Sequence, residues 1–202
     1  DIKAKAVEYA LAKYGSESSI IFCNTKIGCD ELADNLEDAG LDVLVLHSDL
    51  DQRDRDETLI LFSNKSYPIL IATDVAARGI DVKDIDLVIN YDLPHDNEVY
   101  VHRIGRTARA GASGRSISFV EDKYRLDDLE DALDTRIDLE NVSQLETNEK
   151  FDLKSKFSTI FINGGKKSKV RAGDILGALT AGVGLSKDDI GKIDILQFCS
   201  YV

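Results

Sequence analysis

The 202-residue sequence predicts an α/β fold, a doubly wound and mostly parallel sheet, followed by a partial α+β module. Three observations carry the prediction. Short β-branched apolar runs recur through the first 120 residues and are mostly continuous rather than alternating, as strands covered on both faces read. Segments of helical period lie between them. Past the fifth run the pattern gives way to an acidic, weakly periodic stretch, and a second strand–turn–helix start follows.

Each element has its own signal. Ile2–Tyr14 sets Val7, Leu11 and Tyr14 on one stripe, and Ser19–Cys23 is the first strand. Residues 26–39 group Cys29, Leu32, Ala33 and Leu36 before Gly40 stops the helix. Residues 41–46 form the second strand, and Asp51 caps a helix running through Thr58, Leu59 and Phe62. Residues 69–72, 87–90 and 116–120 complete the five strands. An acidic helix is predicted over 123–139, with Leu126, Leu129, Leu133 and Ile137 on its apolar side. The expected division is a first domain over 1–140, a polar linker over 141–156 and a second module over 157–202. That module begins as a βαβ unit, with a strand at 158–163, a helix at 173–180 and a strand at 190–196, and Tyr201-Val202 enter another strand. Forty-six residues with one helix bury too little apolar surface to be secure alone. The module is expected to be incomplete, and the chain a fragment of a longer protein.

Formal net charge is −12, which argues against indiscriminate nucleic-acid binding by the whole chain. Its distribution qualifies that argument. Residues 121–152 carry twelve acids against four bases, whereas 157–202 carry six Lys/Arg against four Asp. No apolar run approaches the roughly 18 residues a bilayer span needs, so no membrane role is expected. Cys23, Cys29 and Cys199 show no paired metal-ligand spacing. Neither a metal site nor a disulfide framework is expected, and a reducing cytoplasm is the expected setting.

Chemistry concentrates in His102-Arg103-Ile104-Gly105-Arg106-Thr107-Ala108-Arg109-Ala110-Gly111. His102, Arg106 and Arg109 fall at i, i+4 and i+7, and share one face if the segment is helical. Two neighbouring guanidiniums suit phosphate oxygens, although an ordinary Arg pair is more often a solvated basic face. Upstream, Ala72-Thr73-Asp74-Val75-Ala76-Ala77-Arg78-Gly79-Ile80-Asp81 leaves the third strand. Gly79 lets backbone approach a ligand, and Asp81 is an acceptor suited to ribose hydroxyls. Such motifs sit where ligands gather, outside the carboxyl ends of strands.

Together with Ile20-Ile21-Phe22-Cys23-Asn24-Thr25, His47-Ser48-Asp49-Leu50 and Gln52-Arg53-Asp54-Arg55, these segments resemble, in order and spacing, the second RecA-like domain of DEAD-box RNA helicases. The resemblance covers about residues 1–140. It implies ATP as cofactor, with Asp81 and Gly79 at the ribose and Arg106 and Arg109 reaching the γ-phosphate across a cleft. His102 would couple nucleotide state to domain closure, and Thr25, Arg55 and Thr73 would touch the RNA backbone. Read alone, Asp81 is a turn residue, Arg55 a surface ion-pair residue, His47 a packed histidine and Thr73 a strand-end hydroxyl. Ala108 and Ser48 stand where the family more often has Gly. The sequence holds neither a G-x-x-x-x-G-K-[ST] phosphate loop nor an Asp-Glu-Ala-Asp segment. Both belong to the first RecA-like domain, the implied partner that holds Mg²⁺, so this chain alone is expected not to hydrolyse ATP.

The segment from Ser158 to Asp174 resembles the start of the RNA-binding domain of DbpA-type DEAD-box proteins, a variant of the RNA recognition motif. Ile160 and Ile162 are expected to face the helix and Phe161 the open sheet face, where an aromatic can stack a base or stand as a rim residue. Lys166, Lys167, Lys169 and Arg171 form a basic loop without an intervening acid. The resemblance implies a structured RNA partner, a hairpin of large-subunit ribosomal RNA, and a role in ribosome assembly. A DEAD-box helicase for messenger or small RNA, or a noncatalytic RNA-binding adaptor, are the alternatives.

Overall fold

The computed structural model describes residues 2–15, 17–77, 85–107, 114–142 and 153–202. Five parallel strands, β1 (Ser19–Cys23), β2 (Val43–Leu46), β3 (Ile69–Thr73), β4 (Leu87–Asn90) and β5 (Arg115–Ser118), lie in the order β2-β3-β1-β4-β5. Alternation along the strands sends side chains to opposite faces. Ile21, Cys23, Ile69, Ile71 and Ile89 pack with Val7 and Leu11 of α1 (Ile2–Tyr14) and with Cys29, Leu32 and Leu36 of α2 (Lys26–Asp38). Ile20, Phe22, Leu70, Ala72 and Val88 pack on the other face. Their partners there are Phe62 of α3 (Gln52–Ser63) and Ala76 and Ala77 of α4 (Asp74–Ala77). Both faces are covered, which is why the strands read as unbroken apolar runs.

α5 (Asn97–Ile104) follows β4, and α6 (Lys123–Leu133) follows β5. The acidic helix is shorter than predicted. Asp134 adopts the left-handed conformation at φ 48°, and the Glu130 carboxylate accepts from the Ile137 amide at 2.9 Å. Ile137 therefore belongs to the chain beyond the helix, not to its apolar stripe. Charged residues spaced around α6 could not signal this stop, because Asp is not the usual residue for that conformation.

The C-terminal module holds β6 (Phe161–Ile162), α7 (Ala172–Gly177), β7 (Asp194–Ile195) and β8 (Ser200–Tyr201), with sheet order β6-β8-β7. All its pairings are antiparallel. The expected βαβ unit is thus corrected: β8 inserts between β6 and β7, and backbone bonds between Ile160 and Val202 extend its ladder. Ile160, expected to face inward, is about half exposed. This module touches the larger lobe. The Thr159 and Ser66 hydroxyls lie 2.5 Å apart, and Glu17 pairs with both Lys65 and Lys156. Burial, followed by the charge of Glu57 on α3, pushes the Tyr201 hydroxyl up to about 12.

Candidate functional site

The carboxyl edge of the parallel sheet is organised by one residue. Arg103, in the last turn of α5, is 2% exposed. Its Nε and Nη2 donate to the two carboxylate oxygens of Asp74 at 2.6 and 2.7 Å. Nη1 donates to Asn90 Oδ1 at 3.2 Å and to the Asp92 carbonyl at 2.6 Å, and Nη2 also reaches Asn24 Oδ1 at 2.9 Å. A guanidinium has five N–H donors, and five acceptors meet it here. The plane lies over Phe22, 5.0 Å from the ring centroid. One side chain thereby ties α5 to residues at the ends of β1, β3 and β4. A charge this deep is tolerable only when paired and fully hydrogen-bonded.

This anchorage places the residues on either side of Arg103. His102 is exposed beside it, and α5 ends at Ile104 with Gly105 as its cap. A Cβ at Gly105 would lie 3.0 Å from the Val101 carbonyl oxygen. Arg106 follows in the turn, and Thr107 makes a parallel bridge with Ile85. The condition for His102 and Arg106 to share a helical face is not met, because the helix ends at Ile104, before Arg106. The turn still brings His102 and Arg106 to one small cleft, lined also by Phe22, Asp74, Ala77 and Val99. Arg109, Gly79 and Asp81 lie outside the described residues.

The three residues expected to touch RNA also lie along this edge. Thr25 caps α2, its hydroxyl oxygen accepting from the Gly28 amide at 3.0 Å. Arg55 Nη2 donates to the Ala76 carbonyl at 2.7 Å, tying α3 to α4. Thr73 ends β3, half-buried. His47 is a satisfied packed histidine. The Asp49 amide donates to Nδ1, which leaves the proton on Nε2 facing Asp30 Oδ1 at 3.0 Å.

In the C-terminal module Lys166, Lys167, Lys169 and Arg171 are exposed, the first two within a short 3-10 turn, Lys166–Ser168. Phe161 is 47% exposed and packs edge-on against Tyr201. Arg103 lies within the His102-to-Gly111 segment, yet the sequence alone does not single it out. The available signal was twofold: Tyr100 and Arg103 share the inner face of α5, and Asn24, Asp74, Asn90 and Asp92 collect acceptors just past three strand ends.

Residues 2–111 match the family model of the helicase conserved C-terminal domain, and residues 159–202 match that of the DbpA RNA binding domain. The chain belongs to the helicase C-terminal domain family, in its DbpA-type branch. It is 46% identical to the ATP-dependent RNA helicase DbpA of Escherichia coli, over 99% of this chain and 44% of that protein. It is 41% identical to the Bacillus subtilis protein of the same name, over 92% of this chain and 43% of that one. This helicase domain and its module thus span less than half the length of the relatives they match. Among solved structures, E. coli DEAD-box protein SrmB bound to the regulator of ribonuclease activity A is similar at a TM-score of 0.67 and 33% identity, over 74% of this chain and 89% of that one. A DEAD box protein from Methanococcus jannaschii gives 0.60 and 41%, over 66% of this chain and 37% of that one.

Proposed function

We propose that this chain is the second lobe of an ATP-dependent DEAD-box RNA helicase that remodels structured RNA, with large-subunit ribosomal RNA during ribosome assembly as its substrate. Residues 1–140 would form the helicase lobe, 141–156 a linker and 157–202 the RNA-anchoring module. The observation that carries the reading is the cleft where His102 and Arg106 meet, at the ligand edge of the sheet and over a fully bonded Arg103. A cationic, donor-rich wall suits the terminal phosphates of ATP and not a divalent ion. Mg²⁺ would be held by the first RecA-like lobe, as the family resemblance implies.

Arg106 and Arg109 would stabilise charge developing on the γ-phosphate, Asp81 and Gly79 would hold the ribose, and His102 would link that occupancy to closure of the two lobes. Thr25, Arg55 and Thr73 would contact the RNA backbone along the same edge. The basic turn of the C-terminal module would supply affinity that the acidic lobe lacks. The ribosomal target is supported by the likeness of residues 159–202 to DbpA RNA binding domains.

The test compares this chain with the same chain preceded by its upstream lobe, in RNA-stimulated ATP turnover. Turnover is expected only from the two-lobe protein. Hydrolysis by the 202-residue chain alone, or none by the two-lobe protein, would overturn the reading.

A further inference from the structure

The small antiparallel sheet turns one aromatic toward the larger lobe and leaves another in solvent. Phe161 and Tyr201 are directly paired in the ladder, with ring centroids 5.5 Å apart and planes at 64°. Residues paired in this way share a sheet face. Tyr201 is 2% exposed with Glu57 of α3 beside it. Phe161 shares that face and packs edge-on against Tyr201, while 47% of its surface stays exposed.

Phe198 is placed differently. It lies between β7 and β8 and is 62% exposed. The Lys166 and Lys167 amides donate to the Leu196 and Gln197 carbonyls at 2.9 and 3.0 Å, so the basic turn is fastened to the backbone just before Phe198. Only glycine at 165 permits that approach, since a Cβ there would lie 2.5 Å from the Leu196 oxygen and 2.7 Å from the Cys199 nitrogen. The Lys167 ammonium lies 4.5 Å from the Phe198 ring centroid. Neither residues 164–173 nor 195–202 contain an acid. An exposed ring fixed beside lysines with no carboxylate between them is the combination that single-stranded nucleic-acid sites use, cations for phosphate and a π face for the base.

We propose that Phe198 stacks on an unpaired nucleobase of the RNA whose phosphates the Lys166–Ser168 turn and Lys169 neutralise. This rests on the reading of that turn as an RNA contact. The ring offers no hydrogen-bond donor or acceptor, so it selects unpaired over stem-paired nucleotides and discriminates weakly among bases.

The experiment uses the full 202-residue chain and a fluorescein-labelled RNA hairpin with a single-stranded flank, followed by anisotropy across a salt series. Phe198→Ala should weaken binding by about 5- to 150-fold, the worth of one base–aromatic stack, and leave the salt slope unchanged. Lys166→Glu, Lys167→Glu and Lys169→Glu combined should abolish binding. The sequence contains no Trp, so Phe198→Trp supplies a single indole whose fluorescence should be quenched when RNA binds. Unchanged affinity of Phe198→Ala, or an unquenched indole with RNA bound, overturns the stacking role even where the charge reversal abolishes binding. A charge reversal without effect overturns the basic-turn reading and the stacking role together.

Discussion

Replacing Arg103 by Met keeps an aliphatic stem against Phe22 and deletes all five donors. The cost follows from what each acceptor is left facing. Asn90 is fully buried, and its Oδ1 and the Asp92 carbonyl lose their shared donor group, at about 1–3 kcal/mol for each buried acceptor left unpaired. Asn24 is exposed and can turn to water. The Asp74 side chain keeps 28% exposure, so its carboxylate is partly rehydrated. The total is about 3–5 kcal/mol, in line with removing one partner of a buried ion pair. At about 2–4 °C per kcal/mol for a chain of this size, the melting temperature should fall by about 6–20 °C. Arg103→Lys keeps the charge but offers three donors on a flexible stem instead of a planar fork, and should cost about half as much. Urea unfolding followed by far-UV circular dichroism measures both. A loss below about 1 kcal/mol for Arg103→Met would refute the claim that this network fixes α5 to the sheet edge.

Two further substitutions probe the C-terminal module. Gly165→Ala drives a methyl group into the Leu196 and Cys199 backbone. It should cost about 1–3 kcal/mol and weaken RNA binding by displacing the basic turn, and parental stability and affinity in urea and anisotropy measurements would contradict the packing described. Tyr201 has its hydroxyl raised from 10.0 to about 12 by burial and then by Glu57. The unfolded chain therefore loses that proton at lower pH than the folded chain. Stability from the protonated hydroxyl is complete below about pH 10 and is lost as pH rises toward 12. Urea midpoints at pH 9 and 11 should show a larger decline for the parent than for Tyr201→Phe, and equal declines would contradict the burial.

The parallel sheet was legible because burial on both faces writes itself as unbroken apolar runs, from Ile20-Ile21-Phe22 to Leu87-Val88-Ile89. The short C-terminal strands were not. β6, β7 and β8 hold two residues each, too few for a period, and Ser200-Tyr201 reveals its central place only through long-range pairing. The end of α6 was hidden for another reason: its stop depends on a left-handed Asp134 and on the Glu130 carboxylate reaching past it. At the candidate site, His102 and Arg106 were legible as chemistry, but their geometry was not. The i, i+4 spacing makes one face only on a helix, whereas a turn after Gly105 delivers Arg106. Arg103 escaped notice because its importance lies in acceptors up to 79 residues away in sequence.

On the proposed function, the Arg106 guanidinium serves phosphoryl transfer. That role is tested most directly by RNA-stimulated ATP hydrolysis of the two-lobe protein carrying Arg106→Ala, with unfolding measured on the same preparation. Arg106→Ala should leave the protein folded, with a single cooperative unfolding transition, and lower turnover by about 10³- to 10⁵-fold, the worth of an arginine finger. Turnover near the parent's in a folded Arg106→Ala protein would contradict that role.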